Sequence, residues 1–549
     1  MKIRNKAVAA SAAAALAVTL AACSSGAGAE GGDPADLSGK MKGAMEDYGV
    51  GTSFKATEPV KFGLMYRDHP NYPFKADWSI VKHLEEDRNV TFDYQSVPLA
   101  DWQQKRSLLI SSGDAADIIP STYIADVETL TAGGALLPVS DYLDYLPNFM
   151  DKIEKWGLQD DLDRTRGDDG KFYVLPGLHE QPRPQYSIAI RKDWWDAAGL
   201  EDPKTWDEFK EQLQVIKEQH PELQYPYTER WSINGPMEAT LQAAAGNFGT
   251  EAGWGYGDGV TWNGSEFEYT GASEEYKDLV TYFHSLVADG LLDPEGLTQE
   301  DDPAKAKLTT GRVAALGAND QEINAYRTGL QEAGNTDAVL KQIVVPAGPA
   351  GDRMDATTGA QFESGVAIAS KALDRDDFVA LLQYVDWQYF SDEGLEFAKW
   401  GVEGETFTKD ADGTRQLAAD VDWNGLNPGE DRKLLNTDFG FYNGVWVLAH
   451  GSTADLVQST LAPEAVEFLE AMNEKEVADP GPGIPMDELE REESALLRTN
   501  LQDVVMTNTA RFILGERPLD QWDAYVAELQ AAGMDRYVEI VNGAAERAQ

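Results

Sequence analysis

The side chains best suited to chemistry in this chain are scattered aromatics with polar neighbours, rather than clustered thiols or imidazoles. Trp254 stands in Gly249-Thr250-Glu251-Ala252-Gly253-Trp254-Gly255-Tyr256-Gly257, where four glycines describe an irregular, exposed loop and not a core strand. Trp231 follows Tyr225-Pro226-Tyr227, and Trp400 precedes Gly401-Val402-Glu403, which sets a flat face near a carboxylate acceptor. A sugar ring has an apolar face and a polar rim, so a sugar site wants aromatic platforms beside a few hydrogen-bonding groups. Each of these Trp residues reads equally as a ligand contact or as packing. Polar candidates come from the ends of expected strands and from a chain crossover: Arg67, Tyr123, His179 with Glu180, and Asn319 with Asp320. Arg suits bidentate bonding to sugar hydroxyls or to a uronate. Each of these could instead cap a helix or sit in a solvated loop.

Patterns for covalent or metal chemistry are poor. There is no Gly-x-Ser-x-Gly, no phosphate loop ending Gly-Lys-Ser/Thr and no His-Glu-x-x-His. The His residues at 69, 83, 179, 220, 284 and 450 lack metal-ligand spacing. Ser79-Ile80-Val81-Lys82 matches Ser-x-x-Lys, but its partner motifs are missing and Lys82 lies on an amphipathic helix. No catalytic residue, metal or cofactor is expected. With 94 acidic residues, carboxylate pairs of the kind that cleave glycosides are not excluded. The same acids, against 46 basic residues, give a formal net charge of −48, which excludes nucleic acid and anionic lipid as partners.

The start of the chain is a secretory signal. Met1 to Lys6 is basic, Ala7 to Ala22 is apolar but too short and Ala-rich to span a bilayer, and Leu20-Ala21-Ala22-Cys23 follows. This order resembles the bacterial lipobox, which implies that Cys23 becomes the lipidated first residue of the mature protein. Cys23 is the single cysteine, so no intrachain disulfide forms and stability must come from a core. The expected organisation is a signal peptide over 1–22 and a lipid-anchored flexible tether over 23–58, its second half able to order locally.

The elements that must position the candidates alternate strand and helix. Val60 to Tyr66, Val90 to Tyr94 and Asp117 to Pro120 read as strands, with helices over Trp78 to Arg88 and Leu99 to Ser111 between them. A second region repeats the alternation, with helices Trp206 to Gln219 and Ala272 to Ala288 and strands Val313 to Gly317 and Gln342 to Val345. Beyond Met486 the chain is mostly helical. The fold class is α/β with mainly parallel sheets, and ligands in such sheets bind beyond the carboxyl ends of the strands.

Several phrases in order carry a family resemblance: Asp169-Gly170-Lys171-Phe172-Tyr173-Val174-Leu175-Pro176, Ile190-Arg191-Lys192-Asp193-Trp194-Trp195 and Thr205-Trp206-Asp207-Glu208-Phe209. Gly290-Leu291-Leu292-Asp293-Pro294-Glu295, Thr310-Gly311-Arg312-Val313-Ala314-Ala315 and Gly515-Glu516-Arg517-Pro518-Leu519-Asp520-Gln521-Trp522 follow. Over 59–549 the chain resembles family 1 extracellular solute-binding proteins, in the LipO/LplA-like branch of sugar-binding lipoproteins. The resemblance implies a periplasmic-binding-protein-like fold, with lobe 1 in 59–178 and 359–410 and lobe 2 in 185–352 and 411–549. It implies capture of an oligosaccharide between the lobes by a monomer tethered outside the cytoplasmic membrane, and delivery to the permease subunits of an ABC importer. An anchored extracellular carbohydrate-active enzyme, a glycosidase or lyase, is the alternative. Many relatives carry an Asp-x-Asn-x-Asn-Gly calcium loop after the helix matching Trp206 to Gln219; here His220-Pro221-Glu222-Leu223-Gln224-Tyr225-Pro226 stands instead, so no calcium is expected there.

Overall fold

The computed structural model describes residues 37–233, 235–427, 432–447 and 452–548; the signal segment and Cys23 lie outside them. In chain order the strands of the two main sheets are β1 (Val60–Asp68), β2 (Val90–Pro98), β3 (Ile118–Thr122), β4 (Val174–Leu178), β5 (Ser187–Arg191), β6 (Tyr227–Thr228), β7 (Ala315–Ala318), β8 (Leu340–Gln342) and β9 (Phe362–Ile368). The first sheet has the order β2-β1-β3-β9-β4 and the second β8-β5-β7-β6. β1 is parallel to β2 from Val60 opposite Val90 to Asp68 opposite Pro98, and parallel to β3 at Leu64 and Ile118. These strands are joined by helical crossovers, Ser79–Arg88 and Trp102–Ser112, as parallel neighbours require. The sheets are nevertheless mixed, not mainly parallel. β9 returns from the other lobe and runs antiparallel between β3 and β4, and β5 is antiparallel to both β7 and β8.

Each sheet buries both faces, which makes two three-layer lobes. On β1, Phe62 and Leu64 point to one core and Met65 to the other, following the period of two of a strand. The larger core packs on helix Phe378–Phe390, in which every residue is buried. A helix buried on every side belongs inside a lobe, provided its few polar side chains find partners there. Its Asp386 accepts hydrogen bonds from the Asn148 and Phe149 backbone N–H groups, the Asn148 amide and the Tyr48 hydroxyl; burial still pushes its carboxyl up to about 6. In the second lobe, Leu501, Val505, Phe512, Trp522, Leu529, Tyr537 and Val541 of the C-terminal helices join the core of Ile188, Ile190, Phe209 and Leu213.

Two stretches bear on the expected boundaries. Residues 37–58, the half of the tether expected to be able to order locally, pack on the first lobe over their whole length: Phe54 is fully buried, edge-on to Tyr384 at 6.1 Å, and Ala44 and Ala56 are buried with it. Burying one such Phe contributes about 1.5–3 kcal/mol, enough to hold a short segment down. Residues 421–427 and 432–447, expected in lobe 2, contribute Val421, Leu435, Phe441, Val445 and Trp446 to the first core. Their aromatics complete the cluster of Tyr66, Phe92 and Tyr94, whose rings lie 6.4, 5.6 and 6.5 Å from Trp446.

Candidate functional site

The chain passes from the first core to the second after Leu178, returns before Phe362, and crosses again beyond Val447. A cavity of about 530 Å³ opens where the first two passes run side by side. Its walls come from both lobes: Tyr123 and Glu363 from the first, Trp254 and Asn319 from the second, with His179, Arg183 and Tyr186 on the crossover.

Local backbone sets the aromatic walls. The penultimate residue of β3, Ser121, has a φ of 53°, which turns the chain sharply. Its carbonyl accepts hydrogen bonds from Arg106 Nη1 (2.7 Å) and Trp102 Nε1 (3.3 Å), so the turn is held and Tyr123 is left half exposed. A non-glycine residue at positive φ carries a strain that surrounding bonds must sustain. Across the cavity, Gly253 (φ 58°) lies so near helix Glu238–Phe248 that a Cβ would sit 1.8 Å from the Glu238 carbonyl oxygen. Only glycine fits there, and the next residue, Trp254, is presented to the cavity. Tyr186 meets Trp254 edge-on at 5.1 Å and Trp231 at 5.3 Å, so the three rings brace one another. Trp231, itself at φ 58° with the Arg230 guanidinium 4.4 Å from its ring, is the buried back of this platform.

The polar walls carry unmet hydrogen-bonding capacity. Arg183 lies 3.6 Å from Asp320 through Nη2, while its buried Nη1 has no partner among the described residues. Buried His179 Nδ1 also lacks one among them. Burial, reinforced by the charges of Arg183 and Lys399, pulls this imidazole down to about 3, so it is neutral at physiological pH. Glu363, on β9 opposite Gly177, has its carboxyl raised by burial to about 7, an effect Arg183 only partly offsets. A site with donors and acceptors left open beside an aromatic face suits a ligand rich in hydroxyls, because buried polar groups without partners are costly until something bonds to them.

Of the residues expected at a site, Tyr123, His179, Trp254 and Asn319 line this cavity together. Asn319 has a structural duty as well: its Oδ1 accepts from the N–H groups of Gln321 and Glu322 at the start of helix Glu322–Glu332. Arg67 is half-buried beside Gly444 and within the electrostatic reach of Tyr123, with no carboxylate among the described residues bonded to it. Glu180 faces away and accepts the Ala454 N–H at 2.7 Å, at the start of helix Ala454–Gln458. Asp320 also borders a separate cavity with Ile323, Leu426 and Phe468. Trp400 is a correction. It is 3% exposed in a small core with Leu395, Phe407 and Leu456, and donates its indole N–H to Ser459 Oγ at 3.1 Å. Glu403 is exposed on the turn that follows it. Arg183, Tyr186 and Glu363 were not legible as site residues. The one available signal was Pro182-Arg183-Pro184, a charged side chain on a stiffened crossover.

The description "bacterial extracellular solute-binding protein" belongs to a family model that matches residues 71–385. The fructooligosaccharide ABC transporter substrate-binding protein FusA of Streptococcus pneumoniae is 24% identical over 540 residues, spanning 91% of this chain and 93% of FusA. The structure of an HMO-binding, ABC-transporter-associated solute-binding protein from Bifidobacterium longum infantis is similar at TM-score 0.69 and 21% identity, covering 89% of this chain and 99% of that one. FusA in complex with kestose gives 0.63 at 20% identity, covering 89% and 99%. At these identities the solved structures speak for the fold. With more than half of its length matched and two α/β lobes joined at a shared cavity, this chain is a member of the bacterial extracellular solute-binding protein family.

Proposed function

We propose that this protein captures an oligosaccharide between its lobes and hands it to the permease subunits of an ABC importer, while lipid on Cys23 holds it as a monomer at the outer face of the membrane. The observation that carries this reading is the crossover cavity, where Trp254, Tyr186 and Tyr123 stand beside the Arg183 and His179 nitrogens that have no partner among the described residues and beside the buried carboxyl of Glu363. Sugar hydroxyls donate and accept at once, so one ring can bond to the arginine and the carboxylate while stacking on the indole. Because both lobes contribute, a bound sugar favours the closed arrangement, the differential contact that a hinge needs. The similarity to FusA, a fructooligosaccharide substrate-binding protein, makes fructooligosaccharides the first probes. The test is a thermal-shift and calorimetric screen with kestose, nystose, oligogalacturonides and maltooligosaccharides, followed by mass spectrometry of the recovered sugar. A ligand at 100 times its Kd adds about 2.7 kcal/mol of stability. Sugar recovered intact supports capture, sugar recovered cleaved favours an anchored enzyme, and the absence of any shift refutes the reading.

A further inference from the structure

We infer that the ligand cleft continues past Trp254 into a second chamber, which receives further residues of the same saccharide chain. This rests on the oligosaccharide reading and deepens it from a class of ligand to a length. A second cavity, of about 580 Å³, is lined by the continuation of two chain segments that line the first. Tyr123 lines the first, and the residues directly after it, Ile124, Ala125 and Val127, line the second; Trp254 lines the first, and Asp258 of the same loop lines the second. Both volumes lie in the range of pockets that enclose a small ligand, so two neighbouring chambers exceed what a short sugar fills.

The far wall identifies the occupant. It is made by Thr165 and Tyr173 from the first lobe and by Ile484 and Met486 from the segment leading into helix Glu488–Ile513. The lobes meet here, because Arg491 Nη1 lies 3.0 Å from Asp168 and the backbone of Arg164 packs against Gly483. The cations around the chamber are already matched: Arg164 by Asp161, Arg166 by Asp163 at 2.8 Å, Lys171 by Asp141 at 2.6 Å, and Arg491 by Asp168. The Tyr173 hydroxyl is bonded to Asp169 at 2.6 Å. An anionic group would have to break one of these pairs. An uncharged run of sugar rings needs only the apolar surface of Ile124, Ile484 and Met486 and the outer edges of the pairs. Contact made here by a long ligand also lies at the meeting line of the lobes, so its energy goes into closure.

Length dependence provides the test. Affinity is measured by calorimetry on the full protein with fructooligosaccharides and with oligogalacturonides, each from tri- to hexasaccharide. In the uncharged fructooligosaccharide series the hexasaccharide is expected to bind at least tenfold more tightly than the trisaccharide, whereas the galacturonides, whose carboxylates would meet cations already matched, should gain less with length. Ala125 is exposed on the chamber wall, and Ala125→Trp should fill the space, abolish that gain and leave trisaccharide affinity within twofold of wild type. Met486→Ala, which trims the opposite wall, should reduce the gain without blocking it. Amide exchange should slow over 482–491 with the hexasaccharide and not with the trisaccharide. Equal affinity for both lengths, or a gain that survives both substitutions, overturns the second chamber while leaving capture intact. Failure of every sugar in both series to bind overturns capture itself.

Discussion

Glu363→Gln isolates the electrostatics of the cleft. In the folded protein burial raises this carboxyl from 4.5 to about 7, and Arg183 is the one nearby charge that opposes the rise. The native state therefore holds this proton more tightly than the unfolded chain does. That advantage is fully present below pH 4.5 and is lost as pH rises through 7. Between pH 5 and pH 8 the loss amounts to about 2.5 kcal/mol, from 1.36 kcal/mol per pK unit weighted by the ionisation of each state. Glutamine keeps the shape and cannot ionise, so the variant should lack this component. Glu251, Glu229 and Asp386 are also raised by burial and titrate in both proteins. The useful quantity is therefore the difference between wild type and variant across pH. Melting curves at pH 5, 6, 7 and 8 should show the wild type losing roughly 2–5 °C more than the variant over that span, given the entropy of unfolding of units this large. Parallel pH profiles would refute the argument and would mean that Glu363 is solvated or already bonded. A sugar hydroxyl that donates to the carboxylate should also flatten the wild-type profile, because it favours the ionised form.

Other outcomes follow from the same geometry. Trp254→Ala should weaken sugar binding at least tenfold with little change in apo melting, whereas Trp400→Ala should cost about 3–5 kcal/mol of stability with near-normal affinity; paired calorimetry and melting curves separate the two. Arg183→Gln should also lower affinity about tenfold or more, since hydrogen bonds to charged groups contribute about 1.5–3 kcal/mol, and Arg183→Lys should not restore it fully, since the ammonium lacks the planar fork. Titration of a bound sugar against each variant reads this directly. Cys23→Ser should yield protein without covalent lipid, by intact-mass analysis of membrane and medium fractions; an unmodified wild type would refute the anchor.

The alternation of strands and helices was readable because each element carries its own period, as in Val60-Lys61-Phe62-Gly63-Leu64 and in the helix begun by Thr205. Strand direction was not. β9 reads as a strand from Gly365-Val366-Ala367-Ile368, but whether it enters beside β3 or reverses depends on a return from the other lobe that no local pattern encodes. At the site, Trp254 was legible through its glycines, each answering a backbone demand. Trp400 was misread because a Trp before a glycine turn looks the same whether its ring faces solvent or an inner cluster; Leu456, which covers it, is more than fifty residues away. Arg183 and Glu363 escaped notice for a related reason. One stands between two prolines and the other inside a strand, and what brings them to the cavity is the pairing of the crossover with β9, which no local pattern encodes.

The insertion of β9 between β3 and β4 bears on how the protein reaches its native state. The edges of β3 and β4 stay unpaired until residue 368 has been made, and the helix that roofs that core arrives later still. The second sheet, by contrast, is complete within residues 187–342. Non-local pairing of this kind slows folding and leaves strand edges open to wrong partners. The first lobe, although it begins the folded body, is thus the later of the two to close its sheet, and its assembly is where a newly exported chain is most exposed to misassociation.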